Sequence, residues 1–213
     1  TDKHCRYFFR LLSQQTLLYS EMINANAITK GNKTRLLNFS EIEHPLALQI
    51  GGSDPKLLAE ATKIGVDWGY NEINLNVGCP SSRVSSGDFG AVLMKRKDHV
   101  AKCVDAMAQF SSNVPISVKC RIAVDDQDPE EILPSFIKTV SNSGVSIFII
   151  HARKAILSGL SPKDNRKIPP IDYNLVKKIK AQFPKLEICL NGEIKDLSSV
   201  IDFINEGIDG CMI

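Results

Sequence analysis

Seven short apolar runs recur along the chain with amphipathic stretches between most of them, and this alternation constrains the fold more than any other feature. The runs cover residues 17–22, 46–50, 72–77, 116–120, 147–151, 187–190 and 210–213. They are brief and carry Ile, Val and Leu on both faces, as strands of a covered parallel sheet do. Helical patterns lie between them at 54–68, 97–109, 129–142, 172–182 and 196–205. In the first, Asp54 and Pro55 form a cap and first-turn pair, with Leu57, Leu58, Ala61, Ile64 and Gly65 at helical spacing. Asp172 and Asp196 are read as N-caps of later helices. Alternation at about 30 residues per unit predicts parallel βαβ units. The α/β architecture could then be a doubly wound sheet or a TIM (β/α)8-type barrel. No run is followed by Gly-x-Gly-x-x-Gly, which favours the barrel. A complete barrel takes about 250 residues. Residues 1–213 are therefore expected to form one incomplete barrel domain, with the first strand missing before Thr1 and the last cut at Ile213.

Composition narrows the function classes. A content of 43% hydrophobic and 23% charged residues is ordinary for a globular chain. A net charge of +2 is too small to announce a nucleic-acid partner, so any RNA contact must come from a local basic patch. The six cysteines, at 5, 79, 103, 120, 189 and 211, form no Cys-x-x-Cys pair. That spacing argues against a metal site or a disulfide framework and fits a reducing, cytoplasmic setting. No apolar run approaches the roughly 18 residues of a membrane span, and no signal peptide is read.

The chemistry-bearing residues stand where the strands end. Gln49 closes one run, and Asn76 leads into Cys79 after the next. Lys119 runs on to Arg121, His151 precedes Arg153 and Lys154, and Asn191-Gly192 ends another. In a barrel these ends share one mouth, where α/β enzymes keep their chemistry. Each buried polar group left unpaired costs about 1–3 kcal/mol, so five at one rim outline a ligand site. Taken singly, each has a plainer reading: Cys79 as a small buried group, Lys119 as a snorkelling chain, His151 as a satisfied core histidine, and Asn191-Gly192 as a turn. Pro80 and the glycine-punctuated loop after it favour a reactive thiol at Cys79.

The stretch from Asn74 to Met94, with Asn76-Val77-Gly78-Cys79-Pro80 at its centre, resembles the signature of the tRNA-dihydrouridine synthases. The ordered set Gln49, Asn76, Cys79, Lys119, His151 and Asn191-Gly192 matches that family position by position. Flanking pieces are similar to its A-type branch: Asp2-Lys3-His4-Cys5-Arg6, His44-Pro45-Leu46, His151-Ala152-Arg153-Lys154-Ala155, and the loop from Leu157 to Pro170. The resemblance implies an FMN-bearing barrel whose flavin is reduced by NADPH. Hydride would pass to C6 of a tRNA uridine in the D-loop, around positions 20 and 20a, and Cys79 would protonate C5. Gln49, Lys119 and His151 would contact the flavin ring or its ribityl chain. Asn191, Gly192 and Glu193 would offer backbone amides to its phosphate. Asn76 would meet the flipped nucleotide, and Lys163, Arg166, Arg83 and Arg153 would touch tRNA. A C-terminal helical tRNA-binding domain belongs to the family pattern and is absent from this chain. Neither a metal nor a membrane is implied, and a monomer is expected. One departure stands out: Glu193 occupies a position that is usually glycine, and a carboxylate there would repel a phosphate unless its side chain points away. Two other readings stay open: an FMN barrel acting on a small molecule, of the dihydroorotate or ene-reductase type, and a non-catalytic fragment keeping part of an RNA surface. The basic loop at 153–167 favours RNA, since a small substrate has no need of it.

Overall fold

A computed structural model describes residues 1–213 apart from the side chains of Ser82 and Arg83, so the tRNA contact expected of Arg83 lies outside the described residues. The strands are β1 (Leu18–Tyr19), β2 (Ile23–Asn24), β3 (Leu46–Gly51), β4 (Glu72–Val77), β5 (Ile116–Arg121), β6 (Ile147–His151), β7 (Glu187–Asn191) and β8 (Gly210–Met212). The helices are α1 (Lys3–Leu12), α2 (Ala25–Lys30), α3 (Lys33–Leu37), α4 (Pro55–Asp67), α5 (Ser82–Ser86), α6 (Lys97–Ala108), α7 (Pro129–Ser141), α8 (Tyr173–Gln182) and α9 (Leu197–Asn205). All strand pairs are parallel, in the order β1-β3-β4-β5-β6-β7-β8, with β2 also on β3. Asp54, Asp128, Asp172 and Asp196 cap their helices by accepting backbone N–H groups.

The sheet curls as a partial (β/α) barrel. From β3 to β8 there are five strand spacings, about 24 Å in a flat sheet. Yet Gln49 of β3 and Met212 of β8 line the same cleft of ≈ 370 Å³. Only a curled sheet brings its carboxyl ends together in this way, which decides against the doubly wound alternative. Every residue of β4 is buried, and Leu48, Leu75, Val118, Phe148, Ile150 and Leu190 are fully buried in the core.

Two local features depart from the sequence pattern. Of the run at 17–22 only Leu18–Tyr19 is strand, and pairing with β3 resumes past its end as β2, because Ser20 takes a ladder position with its side chain: its Oγ accepts from Gln49 N at 2.9 Å. Helix α1 is turned inside out relative to the usual apolar-inward pattern. Arg6 and Arg10 are buried while Phe8, Leu11 and Leu12 are exposed. Arg6 pairs with buried Glu43 at 2.6 Å. Arg10 donates to the carbonyls of Ser13, Thr16, Glu43 and Pro45. No helix among the described residues is long and apolar enough to cross a membrane.

Candidate active site

Cys79 sits on a turn built by Asn76. Strand β4 delivers Asn76 to the rim, and its Oδ1 accepts the backbone N–H groups of Gly78 at 3.1 Å and Cys79 at 3.0 Å. This short-range side-chain-to-backbone bonding is what asparagine offers a turn. The Cys79 carbonyl accepts Ala91 N at 2.9 Å. Gly90, at φ +76, lies so close beneath that a Cβ would stand 2.6 Å from that carbonyl. The thiol is half-buried and lines the cleft. Asn76 also lines the cleft. It is 7% exposed, and its oxygen is already engaged by the turn. Gln49 lines the cleft as expected, with its amide joined to Asn74 and Asn76.

The opposite wall is cationic. Lys119 Nζ donates to Asn191 Oδ1 at 2.9 Å, and Asn191 Nδ2 donates to Met212 O at 2.8 Å. Burial, reinforced by the Arg121 guanidinium, brings the Lys119 ammonium down to about 8. Burial and then the charges of Arg121, Lys119, Arg153 and Arg166 drive His151 down to about 2, so the ring is neutral. Its Nε2 is buried and has no protein partner. Gly192, at φ +119, clears space for that ring, since a Cβ there would lie 2.9 Å from His151 Cδ2. Among the lining residues Lys119, Arg121 and Arg166 face a single carboxylate, Glu193. Partly buried cations in excess, with an orphaned ring nitrogen beside them, suit an anionic ligand that also accepts or donates a hydrogen bond.

Glu193 has turned its carboxylate onto buried Arg153, so the side chain is neutralised within the protein. The residue holds φ +57, a conformation that disfavours any side chain, and the ion pair offsets that strain. The same pairing corrects the reading of Arg153 as an RNA contact. Arg153 is 4% exposed, and its guanidinium also donates to the carbonyls of Lys167 and Pro169. It holds the basic loop against the loop after β7. Lys163 and Arg166 do lie at the surface of that loop, and Arg166 reaches the cleft. Asn165, fully buried, fixes the loop by bonding Ile156 N and the carbonyls of Ile156, Leu160 and Ser161.

The sequence places Arg121 among the polar strand ends without giving it a role, and the structure shows it joining the two halves of the rim. It is 3% exposed and donates to Gly78 O at 3.2 Å, Lys154 O at 3.2 Å and Asn165 O at 2.9 Å. Its place at the end of the Lys119 strand is the available signal. Tyr173 carries no sequence signal; its hydroxyl holds Gly192 O at 2.6 Å. A second cleft of ≈ 320 Å³, lined by Ser141 and residues 182–186, opens at the amino-end face and contains none of these groups. Among the described residues no cluster of His, Cys, Asp and Glu could hold a metal ion.

Comparison with known proteins agrees with this geometry. Solved structures share the fold at low identity. The old yellow enzyme homologue from Zymomonas mobilis superposes with TM-score 0.70 at 11% identity, covering 100% of this chain and 79% of that one. Morphinone reductase in complex with tetrahydroNAD gives 0.65 at 10%, covering 98% and 76%. Much nearer in sequence is the tRNA-dihydrouridine(20/20a) synthase of Synechocystis sp., 53% identical over 213 residues, covering 100% of this chain and 63% of the relative. The protein of the same name from Salmonella typhi is 55% identical over 214 residues, covering 100% and 64%. The chain thus spans somewhat under two thirds of the length of these curated relatives. The family described as "Dihydrouridine synthase (Dus)" matches residues 1–213, and the chain belongs to that family.

Proposed function

We propose that residues 1–213 form the FMN-binding catalytic domain of an enzyme that reduces uridine to 5,6-dihydrouridine in tRNA, at D-loop positions 20 and 20a, the positions in the names of its relatives. The observation that carries this reading is the pairing, in one cleft, of a half-buried thiol with a cationic wall that leaves His151 Nε2 without a partner. FMN fits that wall: an anionic phosphate matches the excess of Lys119, Arg121 and Arg166, and a ribityl hydroxyl or phosphate oxygen matches the orphaned nitrogen. Bound FMN, reduced by NADPH, would supply the hydride for uracil C6.

The chain's own residues do the rest. Lys119, which lines the cleft, would favour negative charge on the ring system of FMN held there. Cys79 holds a proton on Sγ for C5, and the thiolate left behind regains one from solvent; hydride plus proton together saturate the C5–C6 double bond. The uracil must leave the tRNA stack to reach the cleft floor, and the surface-exposed Lys163 and Arg166 stand beside its path.

The first experiment is the visible spectrum of the purified protein, followed by turnover of unmodified tRNA with NADPH. A bound-flavin band and dihydrouridine in the product are expected; bound flavin with no reduction of any tRNA uridine would refute the reading. Two further results are expected. Replacing Lys163 and Arg166 together with alanine should lower the salt slope of tRNA binding by up to about 1.8 in log–log form, at ~0.9 for each phosphate that is no longer neutralised. An unchanged slope would remove both from the RNA surface. The second concerns pH. The Lys119 charge is present below about 8 and disappears as pH rises through it. FMN affinity should therefore hold below that value and fall above it by at most about tenfold per pH unit. Lys119→Met should bind FMN more weakly and with no such fall. Equal pH profiles for the two proteins, read by flavin fluorescence titration, would exclude the lysine.

A further inference from the structure

Three buried residues that the proposed reaction does not use, Glu72, Asn74 and Ser117, join Gln49 and Asn76 in one chain of hydrogen bonds through the barrel, with half-buried Tyr19 at its foot. From the top, the N–H groups of Gly78 and Cys79 donate to Asn76 Oδ1. Asn76 Nδ2 donates to Gln49 Oε1 at 2.9 Å, and Gln49 Nε2 donates to Asn74 Oδ1 at 2.9 Å. Asn74 Nδ2 donates to Ser117 Oγ at 2.7 Å. The Ser117 hydroxyl donates to the Glu72 carboxylate, which also accepts Tyr19 OH at 2.6 Å. Asn74 and Ser117 are fully buried, and Glu72 is 4% exposed.

Every donor along this path points toward Glu72. That order follows from the two ends. Backbone N–H groups can only donate, and Glu72 Oε1 accepts the hydroxyls of both Ser117 and Tyr19. Each of the three amides between them could in principle face either way, but a single orientation of all three satisfies both ends. With the opposite orientation, the Asn76 NH₂ would oppose the two N–H groups of the turn, and the turn would lose its acceptor. Burial raises the Glu72 carboxyl above the usual carboxylate range, and the hydroxyls of Ser117 and Tyr19 draw it back.

We propose that Glu72 is a positioning residue for Cys79: through Ser117, Asn74 and Gln49 it fixes which way the Asn76 amide faces, and so holds the turn that presents the thiol. Glu72 begins β4 and Cys79 follows its end, so the influence runs the full length of the strand on side chains alone. The functional half of this inference rests on Cys79 being the reacting thiol.

The test uses Glu72→Gln, which keeps the shape but adds a donor, in the full-length protein. Ser117→Ala breaks the same path without touching the carboxylate, and it covers the case in which Glu72→Gln does not fold. Tyr19→Phe removes a donor that is off the path. Hydrogen exchange at the Gly78 and Cys79 amides, followed by NMR, reads the turn without turnover. Exchange at both should speed up about tenfold or more in Glu72→Gln and Ser117→Ala, and stay within about twofold in Tyr19→Phe. With tRNA and NADPH, kcat should fall about tenfold or more in the first two, with KM for tRNA within about threefold. Flavin reduction by NADPH alone, which needs no thiol, should not change. Unaltered exchange in both path variants would overturn the proposal, as would an equal effect in Tyr19→Phe. If exchange responds as expected while even the parent protein makes no dihydrouridine, the proposed function fails and the hold on the turn stands.

Discussion

Cys79→Ala is expected to lower dihydrouridine formation by roughly 10²–10⁴-fold, the usual contribution of a positioned proton donor. The flavin absorbance should remain at full strength. The thiol is half-buried at the rim and accepts no structural burden: the turn is held through its backbone, by Asn76 Oδ1 and by Ala91 N. Removing Sγ should therefore leave the cleft intact and delete only the proton. Cys79→Ser should be nearly as impaired, because a hydroxyl of similar size is a far weaker acid. Reduction of the flavin by NADPH precedes the thiol's step, so it should proceed at the parental rate in both variants. Stopped-flow bleaching of the flavin band, followed by its recovery on adding tRNA, separates the two stages. Parental recovery in Cys79→Ala would remove the cysteine from the chemistry. Loss of bound flavin would instead make it part of the cofactor site.

Arg121→Met carries the largest expected loss of stability, about 3–5 kcal/mol, since each buried acceptor that loses its donor costs about 1–3 kcal/mol. Three carbonyls, on Gly78, Lys154 and Asn165, would lose their donor at once. Relief of repulsion with Lys119 and Arg153 offsets a part of this loss. Arg121→Lys should recover little, since one ammonium on a flexible stem cannot reproduce a planar fork that reaches three acceptors. Urea denaturation measures the change; a loss under about 1 kcal/mol would mean that water replaces the guanidinium at all three carbonyls. Activity should fall with stability, because both the Cys79 turn and the basic loop are tied to this one side chain.

The barrel and the outline of its site are legible in the sequence because both rest on periodic information. Parallel strands buried on both faces read as apolar runs, and six of the seven expected runs coincide with strands to within a residue or two. Their polar last residues have to share a rim once the sheet curls. Pairing between side chains is not legible, because it depends on which neighbour is within reach. The resemblance gives Asn76 a nucleotide to contact, and nothing in the spacing of residues shows that its oxygen also accepts two N–H groups of its own turn. Sequence alone makes Arg153 a surface cation, but the carbonyls of Lys167 and Pro169 and the carboxylate of Glu193 enclose it.

Helix α1 escapes the sequence pattern for a related reason. Hydrophobic periodicity places apolar residues inward, whereas here Glu43 and four carbonyls on the segments following the helix draw Arg6 and Arg10 into the interior. The break between β1 and β2 likewise depends on one hydroxyl substituting for a backbone carbonyl. Such a substitution leaves no trace in the spacing of apolar residues.

The Arg153–Glu193 pair also limits how the sequence can diverge. Glycine at 193 would relieve the backbone strain at φ +57 and yet leave an enclosed guanidinium without its counter-charge. An uncharged residue at 153 would strand the glutamate in a strained conformation with nothing to offset it. Each single step is therefore unfavourable, while the joint change is not. Within this chain the two positions are coupled: the strain of a glutamate at 193 is offset only while Arg153 is kept, whereas glycine, the usual residue there, needs no such partner.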